Sequence, residues 1–151
     1  MMKITDLQPA IVWNCFYEVT QIPRPSKKEG KMIAFLESFA KKHGLAYKKD
    51  QVGNILISKP ATPGMENRQT VVLQSHMDMV CEKNNGTKHD FEKDPIETIV
   101  DGEWLRANGT TLGADNGIGV AAEMALLASD DIEHGPIECL FTVDEETGLT
   151  G

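Results

Sequence analysis

The chain has 151 residues, 40% of them hydrophobic, which is enough for one globular domain with a packed core. A formal net charge of −8 argues against a nucleic-acid binder, which needs a basic face. No apolar run approaches the roughly 18 residues of a membrane span, and Pro9 and Asn14 interrupt the only apolar stretch near the N-terminus, so neither a span nor a signal peptide is expected.

Residues 8–20 mix apolar and polar positions at helical spacing, with Ile11, Val12, Phe16 and Val19 on one side. Pro23 and Pro25 in QIPRPS then require a turn. Ser26-x-x-Glu29 has the form of a capping box, and Met32, Phe35, Leu36 and Phe39 recur at helical spacing. With Gly44 as the stop, this predicts a helix over 27–43. Residues 52–58, VGNILIS, read as a strand; a loop with two prolines follows, then a buried strand over 70–76. Residues 81–95 are polar and turn-rich and predict an exposed loop. Ile96 to Val100, Asp101-Gly102 and Glu103 to Ala107 predict a hairpin anchored by Trp104. TTLGADNG leads into IGVAAEMALLA, a helix of small and apolar residues expected to be buried round most of its circumference. After a turn at His134 to Pro136, IECLFTV over 137–143 predicts another buried strand. Helices alternating with apolar strands, plus one hairpin, predict an α/β sandwich with a mixed sheet.

Cys15, Cys81 and Cys139 are odd in number, widely spaced and without a CxxC pair. They read as reduced thiols in a cytoplasmic protein rather than as a disulfide framework. His43, His89 and His134 fall at a helix end or in loops and are expected to be exposed.

Three polar groups share a topological position. His76 and Asp78 follow one apolar strand, Glu145 and Glu146 follow another, and Asp115 lies on the turn into the apolar helix. Ligands of open α/β sheets gather at the carboxyl ends of strands, so these groups can converge although they are far apart in sequence. One histidine with several carboxylates suits zinc, manganese or cobalt. Each residue also has a plain structural use. His76 and Asp78 can be a solvated strand end, Asp115 an N-cap, and the glutamates a solvated loop. Gly113, Gly117 and Gly119 can serve tight turning and close helix packing.

The series SHMDMV, LGADNGIG and TVDEETG, in this order and spacing, resembles the dinuclear-zinc exopeptidase family, and its dipeptidases in particular. The resemblance runs over essentially the whole chain. It implies that His76 and Glu146 are ligands of different metal ions and that Asp115 bridges the two, with a peptide bond to Asn116 that is often cis in the family. Asp78 would orient His76, and Glu145 would be the general base. The cofactors implied are two divalent ions, zinc foremost, with cobalt or manganese accepted by similar ligands. The implied reaction is hydrolysis of unblocked dipeptides, including Xaa-His, by a metal-activated water, with a dipeptide as partner and neither nucleic acid nor membrane.

The chain closes on GLTG directly after the acidic pair, and the family's site needs a further carboxylate and a further histidine. Residues 1–151 are therefore expected to be the N-terminal portion of the catalytic domain, inactive alone and without the family's lid and dimerisation domain. The full-length protein is expected to be a homodimer through that lid. A nucleotide-binding module using the GADNGIG turn is the alternative. Its spacing is not that of a dinucleotide fingerprint, no Gly-Lys-Ser/Thr occurs, and Asp115 would repel phosphate. A non-catalytic fragment is the other alternative.

Overall fold

The structure, a computed structural model, describes residues 2–151. After a 3-10 turn at Ile4–Asp6, helix α1 runs over Ala10–Thr20 and ends ahead of Ile22-Pro23, where proline can neither donate to the helix nor let its predecessor stay helical. Helix α2 spans Gly30–Lys42. It closes as the glycine predicts: Gly44 takes φ 65°, and the Gly44 and Leu45 amides donate to the carbonyls of Lys41 and Ala40 in a Schellman turn. Its start differs from expectation. Lys27 takes a left-handed φ of 68°, so the helix cannot begin there, and no side chain caps it. The capping-box reading of Ser26 and Glu29 is wrong; both side chains are used elsewhere.

The strands are β1 (Ala46–Lys49), β2 (Ile55–Lys59), β3 (Val71–His76), β4 (Thr98–Asp101), β5 (Trp104–Ala107) and β6 (Ile137–Thr142), with helix α3 (Ala114–Ala128) before the last. Four of them form a mixed sheet in the order β1-β2-β6-β3, antiparallel except for the parallel pair β3 and β6. Strand β1 was not expected: AYKK shows no apolar alternation and is held by pairing with β2. Ile55 and Ile57 of β2 and Ile137, Cys139 and Phe141 of β6 alternate inward. They share one core with Phe16 and Val19 of α1, Met32 and Leu36 of α2, and Val120 and Met124 of α3. Each fully buried large side chain there contributes about 1.5–3 kcal/mol.

Strand β3 is not the buried strand its composition suggests. It lies at the sheet edge, Val71 and Val72 are exposed, and only Ser75 and His76 at its carboxyl end are buried. The hairpin forms separately from β4 and β5, turning at Gly102-Glu103, one residue beyond the expected pair. Trp104 does not anchor it, being 71% exposed; Ile96 does, buried with its amide bonded to the Thr20 carbonyl. Cys15 and Cys139 are buried free thiols, and Cys81 is half-buried and also free. His43 is exposed as expected, whereas His89 and His134 are half-buried. His89 packs edge-on against Phe91, and His134 lies with Nδ1 2.7 Å from the Gly135 carbonyl.

Candidate metal centre

The parallel pairing of β3 with β6 sets His76 opposite Thr142, so the turns leaving both strands emerge side by side. The Met77 amide extends the pairing past the strand by donating to the Thr142 carbonyl at 2.7 Å. On a third segment, Asp115 and Asn116 interrupt helical geometry at the start of α3, and the peptide bond between them is cis. Asp115 therefore does not cap the helix. Its carboxylate turns toward His76 instead, with Oδ1 3.1 Å from Nε2.

One potential ligand atom from each of His76, Asp115 and Glu146 lies within 4.8 Å of the other two. Glu145 Oε2 is 3.8 Å from His76 Nε2. An imidazole nitrogen and two carboxylates grouped this closely are a donor set that fits a divalent first-row ion. The His76 ring is buried while the Asp115 side chain is 88% exposed, so the group is open on one side.

Asp78 is fully buried and orients the histidine from behind. Its Oδ1 is 3.3 Å and its carbonyl oxygen 3.1 Å from His76 Nδ1. In the tautomer that donates from Nδ1 to these acceptors, the Nε2 lone pair faces Asp115, as a metal ligand at Nε2 requires. The same carboxylate accepts from the Glu145 amide at 3.0 Å, the Glu146 amide at 3.1 Å and the Ser26 hydroxyl at 2.7 Å. Burial raises the pKa of Asp78, but these donors and His76 together outweigh it and hold the carboxyl below its ordinary value. Glu146 moves the other way: desolvation raises it, His76 lowers it, and the neighbouring carboxylates of Glu145, Asp115 and Asp78 raise it further.

Three residues here were not recognised as part of the site in the sequence: Arg24, Ser26 and Glu29. Ser26 and Glu29 were hidden because their spacing copies a helix cap, and Arg24 because it lies between two prolines where no periodicity operates. Glu29 Oε1 accepts from the Lys27 amide at 3.1 Å and the Asp144 amide at 2.8 Å. Glu29, Asp78 and Asp144 also form a close group of carboxylates, all buried. Each already accepts hydrogen bonds from amides or hydroxyls, Asp144 from the Thr147 hydroxyl.

Residues 72–151 match the model of peptidase family M20/M25/M40. Over all 151 residues the chain is 52% identical to the cytosol non-specific dipeptidase of Escherichia coli strain K12, of which it covers 31%. The solved structure of aminoacylhistidine dipeptidase from Vibrio alginolyticus superposes with a TM-score of 0.97 at 53% identity, covering 99% of this chain and 31% of that one. A tripeptidase from Staphylococcus aureus superposes with a TM-score of 0.72 at 26% identity, covering 91% and 37%. The chain thus spans about a third of the length of these relatives.

Proposed function

The chain belongs to peptidase family M20/M25/M40, and from that premise we propose that it supplies part of the metal centre of a dipeptidase. The observation that carries this reading is the convergence of His76, Asp115 and Glu146 from three separate segments, with Glu145 beside them. His76, Asp115 and Glu146 would hold two divalent ions, zinc foremost. Bound there, the ions supply Lewis-acid polarisation of the scissile carbonyl and lower the pKa of the attacking water.

The chain's own residues do the rest. Asp78 fixes the imidazole through Nδ1 and keeps Nε2 free as a ligand. Glu145 takes the proton from the attacking water and hands it to the leaving amine. The two glutamates divide these roles because both their amides bond to Asp78, which pins the backbone and lets consecutive side chains diverge. Glu146 then serves as ligand while Glu145 reaches the water.

The Escherichia coli relative is a cytosol non-specific dipeptidase and the Vibrio relative an aminoacylhistidine dipeptidase, which supports dipeptide substrates that include Xaa-His and a cytoplasmic location. No helix among the described residues is long and apolar enough to cross a membrane. A further carboxylate and histidine ligand, and the lid through which a homodimer would form, are part of the same proposal and lie outside these 151 residues. By this reading residues 1–151 are inactive alone. The nucleotide-binding alternative is not favoured, since the family match spans the GADNGIG turn.

The test is Glu145→Gln in the full-length protein. Dipeptide hydrolysis should fall by about 10²–10⁴-fold, the usual contribution of a general base, with metal content unchanged. Retained turnover would place the base elsewhere, and a full-length protein that binds neither zinc nor cobalt in calorimetry would end the hydrolase reading.

A further inference from the structure

The candidate ligands sit at the end of β3, at the start of α3 and on the turn after β6, and one short segment reaches all three places. Arg24, almost fully buried, donates from Nη1 to the carbonyls of Met77 at 3.1 Å and Asp78 at 3.3 Å, on the turn after β3. Its Nη2 donates to the Gly113 carbonyl at 2.6 Å, two residues before Asp115. The Arg24 carbonyl accepts from the Met79 amide at 3.2 Å. Two residues on, the Ser26 hydroxyl donates to the Asp78 carboxylate. Glu29 accepts from the Asp144 amide, on the turn after β6 just before Glu145 and Glu146. Asp144 takes a left-handed φ of 50°, which aspartate adopts more readily than most residues, and the Glu29 carboxylate holds its amide there.

Burying a guanidinium is costly, and a core that needed only filling at this point would take a hydrocarbon side chain. The surroundings are cut to the charged group instead. A Cβ at Gly113 would stand 2.5 Å from Nη2, and one at Gly117 would stand 2.7 Å from it. Two glycines of the LGADNGIG turn therefore leave room for this one guanidinium. Burial lowers its pKa to about 10, against the opposing pull of Cys81 and Asp78, so it stays protonated at neutral pH. A planar fork can bridge carbonyls of two different turns, which a single ammonium point cannot do in the same way.

We propose that Arg24, with Ser26 and Glu29, forms a positioning clamp for the metal centre: residues 24–29 set the spacing of the segments that carry His76, Asp115 and Glu146. This rests on the reading of those three residues as metal ligands. The clamp acts through main-chain carbonyls, amides and Asp78, and touches neither substrate nor metal. Its consequence is that affinity and coordination geometry depend on residues that ligate nothing.

The test uses the full-length protein, stripped of metal and titrated with Co²⁺. Arg24→Lys keeps the charge but loses the fork; Ser26→Ala removes one hydroxyl. Each should lower Co²⁺ affinity by about 10–100-fold, the usual effect of losing a partner behind the ligands, and should shift the visible absorption of the bound ion. In both variants kcat should fall more than KM changes, and Ser26→Thr should restore the wild-type spectrum. Wild-type affinity and spectrum in both variants, whatever their thermal stability, would overturn the proposal and leave these residues a purely structural role. Should Arg24→Lys fail to fold, the Ser26→Ala and Ser26→Thr pair decides the matter alone. A wild-type protein that binds no Co²⁺ would instead remove the metal-centre reading, and the clamp with it.

Discussion

Glu123 offers a direct measure of how this core treats charge. It lies on the inner side of α3, 4% exposed, and its Oε2 has no hydrogen-bond partner. The Ser75 hydroxyl and the Cys139 thiol flank the carboxyl without closing a bond to that oxygen. Burial raises its pKa from the ordinary 4.5 to about 7, and the two flanking groups pull it only part of the way back. Cys139, pushed up to about 12 by its own burial, stays neutral throughout this range. An acid whose pKa is higher in the fold than in the unfolded chain binds more protons when folded. Stability therefore falls as pH rises from about 4.5 to about 7, then levels off. A tenfold change in proton affinity is worth about 1.4 kcal/mol, so the full effect is about 3 kcal/mol. Glu123→Gln is neutral at every pH and should abolish it. In urea unfolding, the stability of the variant relative to wild type should rise by about 3 kcal/mol between pH 4 and pH 8. Parallel pH curves for the two proteins would refute the argument, because they would show that Glu123 reaches water or a partner in the fold.

Other substitutions address the site and the edges of the fold. Asp78→Asn must turn its amide toward one of the two main-chain donors from Glu145 and Glu146, leaving that donor unsatisfied. It should cost about 1–3 kcal/mol in denaturant unfolding. Because the Asp78 pKa is depressed in the fold, its stabilisation is present at neutral pH and lost as pH falls through that depressed value, so the variant should also lose this acid dependence. Gly113→Ala meets a left-handed φ of 69° as well as Arg24 and Met79, and should lower stability by at least about 1–2 kcal/mol from the backbone alone, read from the urea midpoint. Trp104→Ser, at an exposed position, should change stability by no more than about 0.5 kcal/mol in the same assay, whereas Phe16→Ala should cost about 3–5 kcal/mol.

Much of this molecule is legible in residue order because the signals are local. The helical spacing of Met32, Leu36 and Phe39 and the Gly44 stop give α2 its register and its end. The alternation of Ile137, Cys139 and Phe141 gives β6 its buried face. The motif spacing also carries the family resemblance and names the residues that the fold brings together at the ends of β3 and β6.

Other features depend on partners distant in sequence. The apolar start of β3 reads as core, yet Val71 and Val72 lie on a sheet edge, because strand order is decided by pairing and not by composition. Trp104 looks like an anchor by size alone, but Ile96 is the buried residue and Leu105 the one packed on the core, since which residue is buried depends on how the ribbon lies against Thr20. Ser26-x-x-Glu29 satisfies a helix-cap pattern, and only the left-handed turn at Lys27 frees both side chains to reach residues 52 and 115 positions away. By itself the sequence determined the family, the principal helices and most strands, and the residue types of the candidate centre, all of which rest on spacing along one segment at a time. The tertiary structure decided which turns are tied together and by what. Hydrogen bonds from a buried guanidinium to three carbonyls leave no periodic trace in the chain that makes them.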